Sequence, residues 1–180
     1  KGTALSNAEF TLQFTSTDKL EFRTFSAANV ADGIFQSTES LNSTSDEYTI
    51  YWELDVADVT PANRLKLWAN GVPLTPSGSS VNPASAIYTS TGNVGLFAEA
   101  DGGVPFDGTG FQFAFFSGSK PGVANVYDTV AGEPKDLTRL AGKHAMLYTN
   151  MIDPITRDFV KGDVWVNNNA ATAVLQRPYA

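Results

Sequence analysis

Apolar and polar residues alternate along much of this chain, and residues 63–74 show it most clearly. Leu65, Leu67 and Ala69 alternate with Arg64, Lys66 and Trp68. One face is apolar and the other amphipathic, the mark of a half-buried strand. Asn70-Gly71 follows at once. Both residues tolerate the positive φ that a type I′ turn demands, and that turn suits two antiparallel strands. Val72 to Leu74 begins the return strand, so the segment predicts a tight hairpin.

The same alternation recurs elsewhere. Phe10, Leu12 and Phe14 alternate with Thr11 and Gln13; after the turn signal Ser16-Thr17-Asp18, Leu20 and Phe22 alternate with Lys19, Glu21 and Arg23. These predict a second hairpin. Residues 26–46 are rich in Ser, Asn, Thr and Asp and read as a long loop with one weak strand at Ile34-Phe35. Tyr48, Ile50, Trp52 and Leu54 alternate with Thr49, Tyr51, Glu53 and Asp55, the strongest strand signal in the chain. Residues 58–62 are a connection in which Pro61 bars a ladder bond. Residues 76–84 read as a Pro/Gly/Ser loop, Ala86–Tyr88 and Val94–Ala98 as short strands, and Asp101-Gly102-Gly103 as a turn. Phe111, Phe113 and Phe115 form the strand expected to close this region near Gly118.

The pattern then changes. Glu133–Leu140 has Pro134 near its start, Leu137 and Leu140 three apart and Gly142 beyond its end, which predicts a short helix. Pro154–Phe159 suggests another helical turn and Val164–Val166 a short strand; the Asn-rich tail from Asn167 is irregular. Short strands separated by turn signals, without alternating helices, predict an all-β antiparallel β-sandwich or jelly roll. Two parts are expected: a sandwich over 1–118 and a mostly irregular C-terminal extension over 119–180.

Composition narrows the functional classes. At 180 residues the chain is long enough to bury roughly two-thirds of its unfolded surface without staples. It has no cysteine, so disulfides, thiol chemistry and Cys-based zinc sites are excluded. The net charge of −7 argues against nucleic acid as a partner, since phosphate binding needs clustered Lys and Arg. No apolar run approaches a membrane span. Residues 1–15 lack the features of a signal peptide. Lys1 stands where an initiator Met is expected, so a processed chain or a fragment is one reading.

The stretch Leu54-Asp55-Val56-Ala57-Asp58-Val59-Thr60-Pro61-Ala62-Asn63-Arg64-Leu65-Lys66-Leu67-Trp68-Ala69-Asn70-Gly71 resembles the signature region of laminin-G-like, concanavalin-A-like domains in phage virion proteins. Phe14-Thr15-Ser16-Thr17-Asp18-Lys19-Leu20 is similar to an earlier hairpin of that family. Pro105-Phe106-Asp107-Gly108, with Phe111–Phe115 and Ser117-Gly118, is similar to its closing strand. The resemblance covers about residues 10–118. The family's preceding strand pair has no counterpart before Phe10, so those strands would come from a preceding portion of the chain or from another chain. Residues 119–180 carry no such likeness and are expected to serve as an attachment or oligomerisation arm. The resemblance implies a structural protein of a bacteriophage virion, a capsid decoration or tail-fibre component. Its place would be the virion surface, outside the cell. Its partners would be other virion proteins and further copies of itself, with a host glycan as a further option.

Several constellations carry chemistry worth weighing. Glu53-Leu54-Asp55-Val56-Ala57-Asp58 is similar to the Glu-x-Asp-x-x-Glu strand of concanavalin-like glycosidases, with Asp58 in place of the last Glu. On a regular strand Glu53 and Asp55 share one face and Asp58 takes the other, so only a bulge gathers all three. A solvated polar strand end is the preferred reading. Glu99, Asp101 and Asp107 are candidate oxygen ligands for Ca²⁺ on irregular backbone, the one cofactor considered, although turn chemistry explains Asp-Gly equally well. His144 is the only histidine and marks no triad. The sequon Asn42-Ser43-Thr44 has no meaning in a phage setting.

If Ile50 and Trp52 face inward, Tyr51 faces outward, and Trp68 lies opposite Leu67. These two aromatics are the candidate contact residues, through a protein interface or second-layer packing first and sugar stacking second. With Asp101 and Asp107 they make up the expected ligand-binding set. The expected function is a non-enzymatic virion module; the alternatives are a carbohydrate-binding lectin and, behind it, a glycosidase using Glu53 and Asp55.

Overall fold

The computed structural model describes residues 10–27, 30–43, 46–87, 113–116, 118, 120–137 and 145–149. The chain forms two compact units, Lys1–Asn93 and Val94–Ala180. Among the described residues every paired strand is antiparallel, and the only helical elements are single 3-10 turns at Pro61–Asn63 and Val123–Asn125. The all-β expectation holds for them.

The first unit contains two three-stranded sheets. One is β1 (Phe10–Phe14), β2 (Lys19–Ala27) and β3 (Val30–Ser40), paired in that order. The other is β4 (Ile50–Leu54), β5 (Leu65–Ala69) and β6 (Val72–Pro73), also in sequence order. Each expected hairpin is present. Phe10 pairs with Thr24 and Phe14 with Leu20 across a turn in which Asp18 takes φ +57°. The Thr15 hydroxyl accepts from the Lys19 and Thr17 amides, 3.2 and 3.3 Å, closing that turn. Asn70 and Gly71 take φ +49° and +77°, both positive as a I′ turn requires, and Ala69 pairs with Val72.

Alternation decides which side chains go inside. Leu20, Phe22 and Phe35 of the first sheet and Leu65, Leu67 and Ala69 of the second share one buried cluster with Leu74. Phe10, Leu12, Ile50, Trp52 and Leu54 pack against it. Phe22 is the hinge of this packing. Its ring stacks on Phe10 within its own sheet at 5.5 Å and lies 6.0 Å from Trp52 of the other sheet.

β3 corrects the expectation of a long loop over 26–46. Eleven residues are strand, held between β2 and a partner further along the chain. Residues 75–81 run antiparallel beside β3. Val81 and Ile34 exchange two backbone bonds of 2.7 and 2.8 Å, Ser77 N–H donates to Gln36 at 2.7 Å and Thr38 N–H to Thr75 at 2.9 Å. The expected Pro/Gly/Ser loop therefore borders the first sheet as an irregular edge.

Two more expectations fail. Ala86 and Ile87 lie outside any strand. The short helix over Glu133–Leu140 is absent where the structure describes it: Glu133–Pro134 is a strand, β9, paired with Tyr127–Asp128, β8. Turn chemistry decides the matter. The Asp128 carboxylate accepts the Val130 and Ala131 amides, both at 3.0 Å, and Gly132 takes φ +74°, closing a hairpin where a helix would have to start. Those two amide bonds hold the Asp128 carboxyl below its usual range, with the Lys135 ammonium adding to them. Of the expected strand 111–115, β7 (Phe113–Phe116) is observed, and it pairs with β10 (Ala145–Thr149) within the second unit. The expected elements at 94–98, 154–159 and 164–166 lie outside the described residues, as does His144.

Gly33 is buried opposite Thr24. A Cβ there would meet the Thr24 hydroxyl and stand 2.7 Å from Pro83 Cα, which is backbone and cannot swing aside. Gly33→Ala should therefore destabilise the protein by about 1–3 kcal/mol, read as a lower urea midpoint with an unchanged slope.

Glu39 joins β3 to the same edge, its carboxylate accepting the Thr75 amide at 3.1 and 3.2 Å. Slight burial acts to raise its pKa, but hydrogen bonds from its own backbone, from Thr75 and from Thr38 outweigh it and bring the carboxyl below the ordinary 4.5. A depressed folded value means that its stabilising contribution is complete above 4.5 and is lost as pH falls through the folded pKa. An NMR titration should place the Glu39 midpoint below 4.5, and Glu39→Gln should flatten the acid limb of the stability curve. A midpoint at or above 4.5 contradicts this.

Candidate functional site

The regular register of β4 on β5 builds the site. Tyr51 stands opposite Trp68 and Glu53 opposite Lys66, with no break from Ile50–Ala69 to Leu54–Leu65. Trp68 faces Pro73 of β6 on its other side. With Ile50, Trp52, Leu65 and Leu67 directed to the core, alternation sends Tyr51, Glu53, Lys66, Trp68 and Pro73 to the opposite face.

The structure therefore brings together two of the four sequence-predicted residues. The Tyr51 and Trp68 rings lie 5.2 Å apart at 39°, a tilted pair within the range where aromatic contacts are favourable. Tyr51 is 8% exposed, much less than an outward face suggests, while Trp68 is half-buried. The Tyr51 hydroxyl donates to Glu53 Oε1 at 2.8 Å. That bond satisfies the phenol and turns the carboxylate along the strand. Lys66 is exposed beside it. A cavity of about 200 Å³ opens between β3 and β5, lined by Ile34, Phe35, Leu65, Leu67, Leu74 and Val81, largely on the core side of these strands, and it reaches Lys66 and Trp68 only at its margin.

Asp101 and Asp107 lie outside the described residues, as does Glu99. Among the described residues no three His, Cys, Asp or Glu side chains come together as a metal group. The other carboxylates near the strand end are tied to the backbone. Asp55 accepts the Ala57 amide at 3.2 Å and Asp58 the Thr60 amide at 2.8 Å. β4 has no bulge, so the condition for gathering Glu53, Asp55 and Asp58 is not met in this strand. Arg64 is a brace: its Nε donates to the Asp58 carbonyl and its Nη1 to that of Pro83, both at 2.9 Å.

Sequence reasoning missed one polar arrangement. On the outer face of the first sheet, Glu21 is 5% exposed and accepts from Gln13 and Arg23 at 2.7 Å and from Gln36 at 3.2 Å. Gln13, Glu21 and Gln36 stand in cross-strand register. The available signal was the placement of Gln13 and Glu21 at equal distance from the connection at 15–19.

What the second sheet offers is an aromatic pair flanked by an exposed ammonium and a carboxylate that already holds a phenol. Such a face suits contact with a protein surface or with the apolar side of a sugar ring. Tyr51→Phe should cost about 1 kcal/mol in urea unfolding, the net value of one hydrogen bond, and Glu53→Ala, which removes the acceptor, should cost less in the Tyr51→Phe background than in the native chain. Equal losses from Glu53→Ala with and without the Tyr51 hydroxyl would show that the bond does not hold the site.

The chain matches no family model, no curated protein and no solved structure.

Proposed function

We propose that this chain is a non-enzymatic structural component of a virus particle, a capsid decoration or tail-fibre protein built on a laminin-G-like jelly-roll sandwich. The observation that carries the reading is the pairing of two antiparallel sheets over one apolar cluster. Within it, the segment most similar to phage virion modules forms the central strand and tight turn of the second sheet. The outward face of the second sheet, where a half-buried Trp68 and an exposed Lys66 lie beside the buried Tyr51, is the contact surface, toward other virion proteins or further copies of the chain. The charge of −7 supports a well-solvated exterior position. The C-terminal part serves as the attachment arm.

The test is localisation on particles. An antibody raised against the full chain should label intact virions of the encoding virus, and the chain should remain with them through density-gradient purification. Recovery of the chain only as free protein, away from particles, would overturn the reading.

A lectin role is the second reading, favoured by a half-buried Trp68 beside an exposed Lys66. Calcium at Asp101 and Asp107 belongs to this reading. A glycan array run with and without chelator separates the cases. Binding lost in Trp68→Ala supports the aromatic face, binding lost with chelator supports the acidic loops, and silence in both conditions removes the lectin.

A further inference from the structure

Asn70-Gly71 is the sole Asn-Gly pair in the sequence, and its chemistry is not exhausted by making a turn. A glycine amide nitrogen, with no side chain beside it, reaches the carbonyl carbon of a preceding Asn side chain more freely than any other. The attack closes a five-membered succinimide. It requires Cγ of Asn70 to swing toward the Gly71 nitrogen.

In the folded protein that swing is blocked by the chain leading into β4. Asn70 Oδ1 accepts the Thr49 amide at 2.7 Å, and Asn70 Nδ2 donates to the Glu47 carbonyl at 3.2 Å. The Asn70 backbone amide donates in turn to the Thr49 carbonyl at 2.9 Å. Both ends of the carboxamide are thus committed to one short segment, and both of these bonds must open before Cγ can reach the Gly71 nitrogen.

We infer that Asn70 is a fold-gated deamidation site, protected while residues 47–49 clasp its side chain and modified when the hairpin opens. The Gly71 nitrogen gives its proton to water or hydroxide and bonds to Cγ. The Cγ–Nδ2 bond breaks, and Nδ2 takes a proton from solvent and leaves as ammonia. Water then opens the ring at either carbonyl, yielding aspartate or isoaspartate. The aspartate sets a carboxylate oxygen against the Glu47 carbonyl where a donor stood. The isoaspartate adds a carbon to the backbone of a two-residue turn that needs positive φ at both positions. Either product weakens the register of Ala69 on Val72 and makes the opening permanent.

The experiment incubates the full chain in mildly alkaline buffer, folded and in a urea series, and follows the peptide containing residues 70 and 71 by mass spectrometry. Folded protein should deamidate at least about tenfold more slowly than unfolded, because reaction waits for opening. Hydrogen exchange at the Thr49 amide, which needs the same opening, should show the same urea dependence. A rate equal in folded and unfolded chains, or no product from the unfolded chain, overturns the inference.

Discussion

Each three-stranded sheet of the first unit has one apolar face, and such a face must be buried against another element. Each covers the other. Leu20 and Phe22 are fully buried from one side and Leu67 is 1% exposed from the other. The Phe22–Trp52 contact joins the two layers with rings that bury more area than any aliphatic pair. The chain reinforces this packing with a single continuous stretch. Leu74 closes the second sheet through its amide to Leu67 at 2.9 Å and enters the shared cluster. The next seven residues cross over and border β3. Separating the sheets would break that edge as well as expose the core, so the two losses are coupled.

The two fully buried polar side chains, Ser37 and Thr24, each find a partner at a place where the ladder is irregular. The register of β2 on β3 shifts between Lys19 and Glu21. There the Leu20 amide donates to the buried Ser37 hydroxyl at 3.1 Å, which in turn donates to the Glu39 carbonyl at 2.7 Å. A bulge leaves backbone groups to be paired, and a short hydroxyl fills that need in little volume. Thr24 is likewise fully buried and donates to Asp32 at 2.8 Å. Gly33 beside it keeps room for Pro83.

These same devices set the limit of what the sequence alone reveals. The strands of 10–14, 19–23, 50–54 and 65–69 were legible because their inward positions are large and apolar. β3 was not, because its buried positions include Gly33 and Ser37, residues that resemble loop when only hydrophobic period is followed. The expected helix at 133–140 rested on two leucines three apart, whereas Asp128 and Gly132 set a hairpin. The facing of Tyr51 could be read from alternation. Its burial could not, since that depends on Trp68 across the strand and on Glu53 taking its hydroxyl.

The two outward faces of the first unit differ in what they leave for a partner. On the first sheet, Gln13, Arg23 and Gln36 all direct donors onto one carboxylate, and Ser79 adds a 3.4 Å bond to Gln36. Capacity for polar recognition is largely spent within that row, and a partner would have to displace bonds already made. On the second sheet the polar demand is smaller: one phenol is satisfied by one carboxylate. Trp68 remains half-buried with Lys66 exposed beside it. Covering Trp68 gains apolar burial at about 25 cal/mol per Å² without breaking a hydrogen bond. Among the described residues of this unit, the second sheet is therefore the face on which contact costs least and returns most.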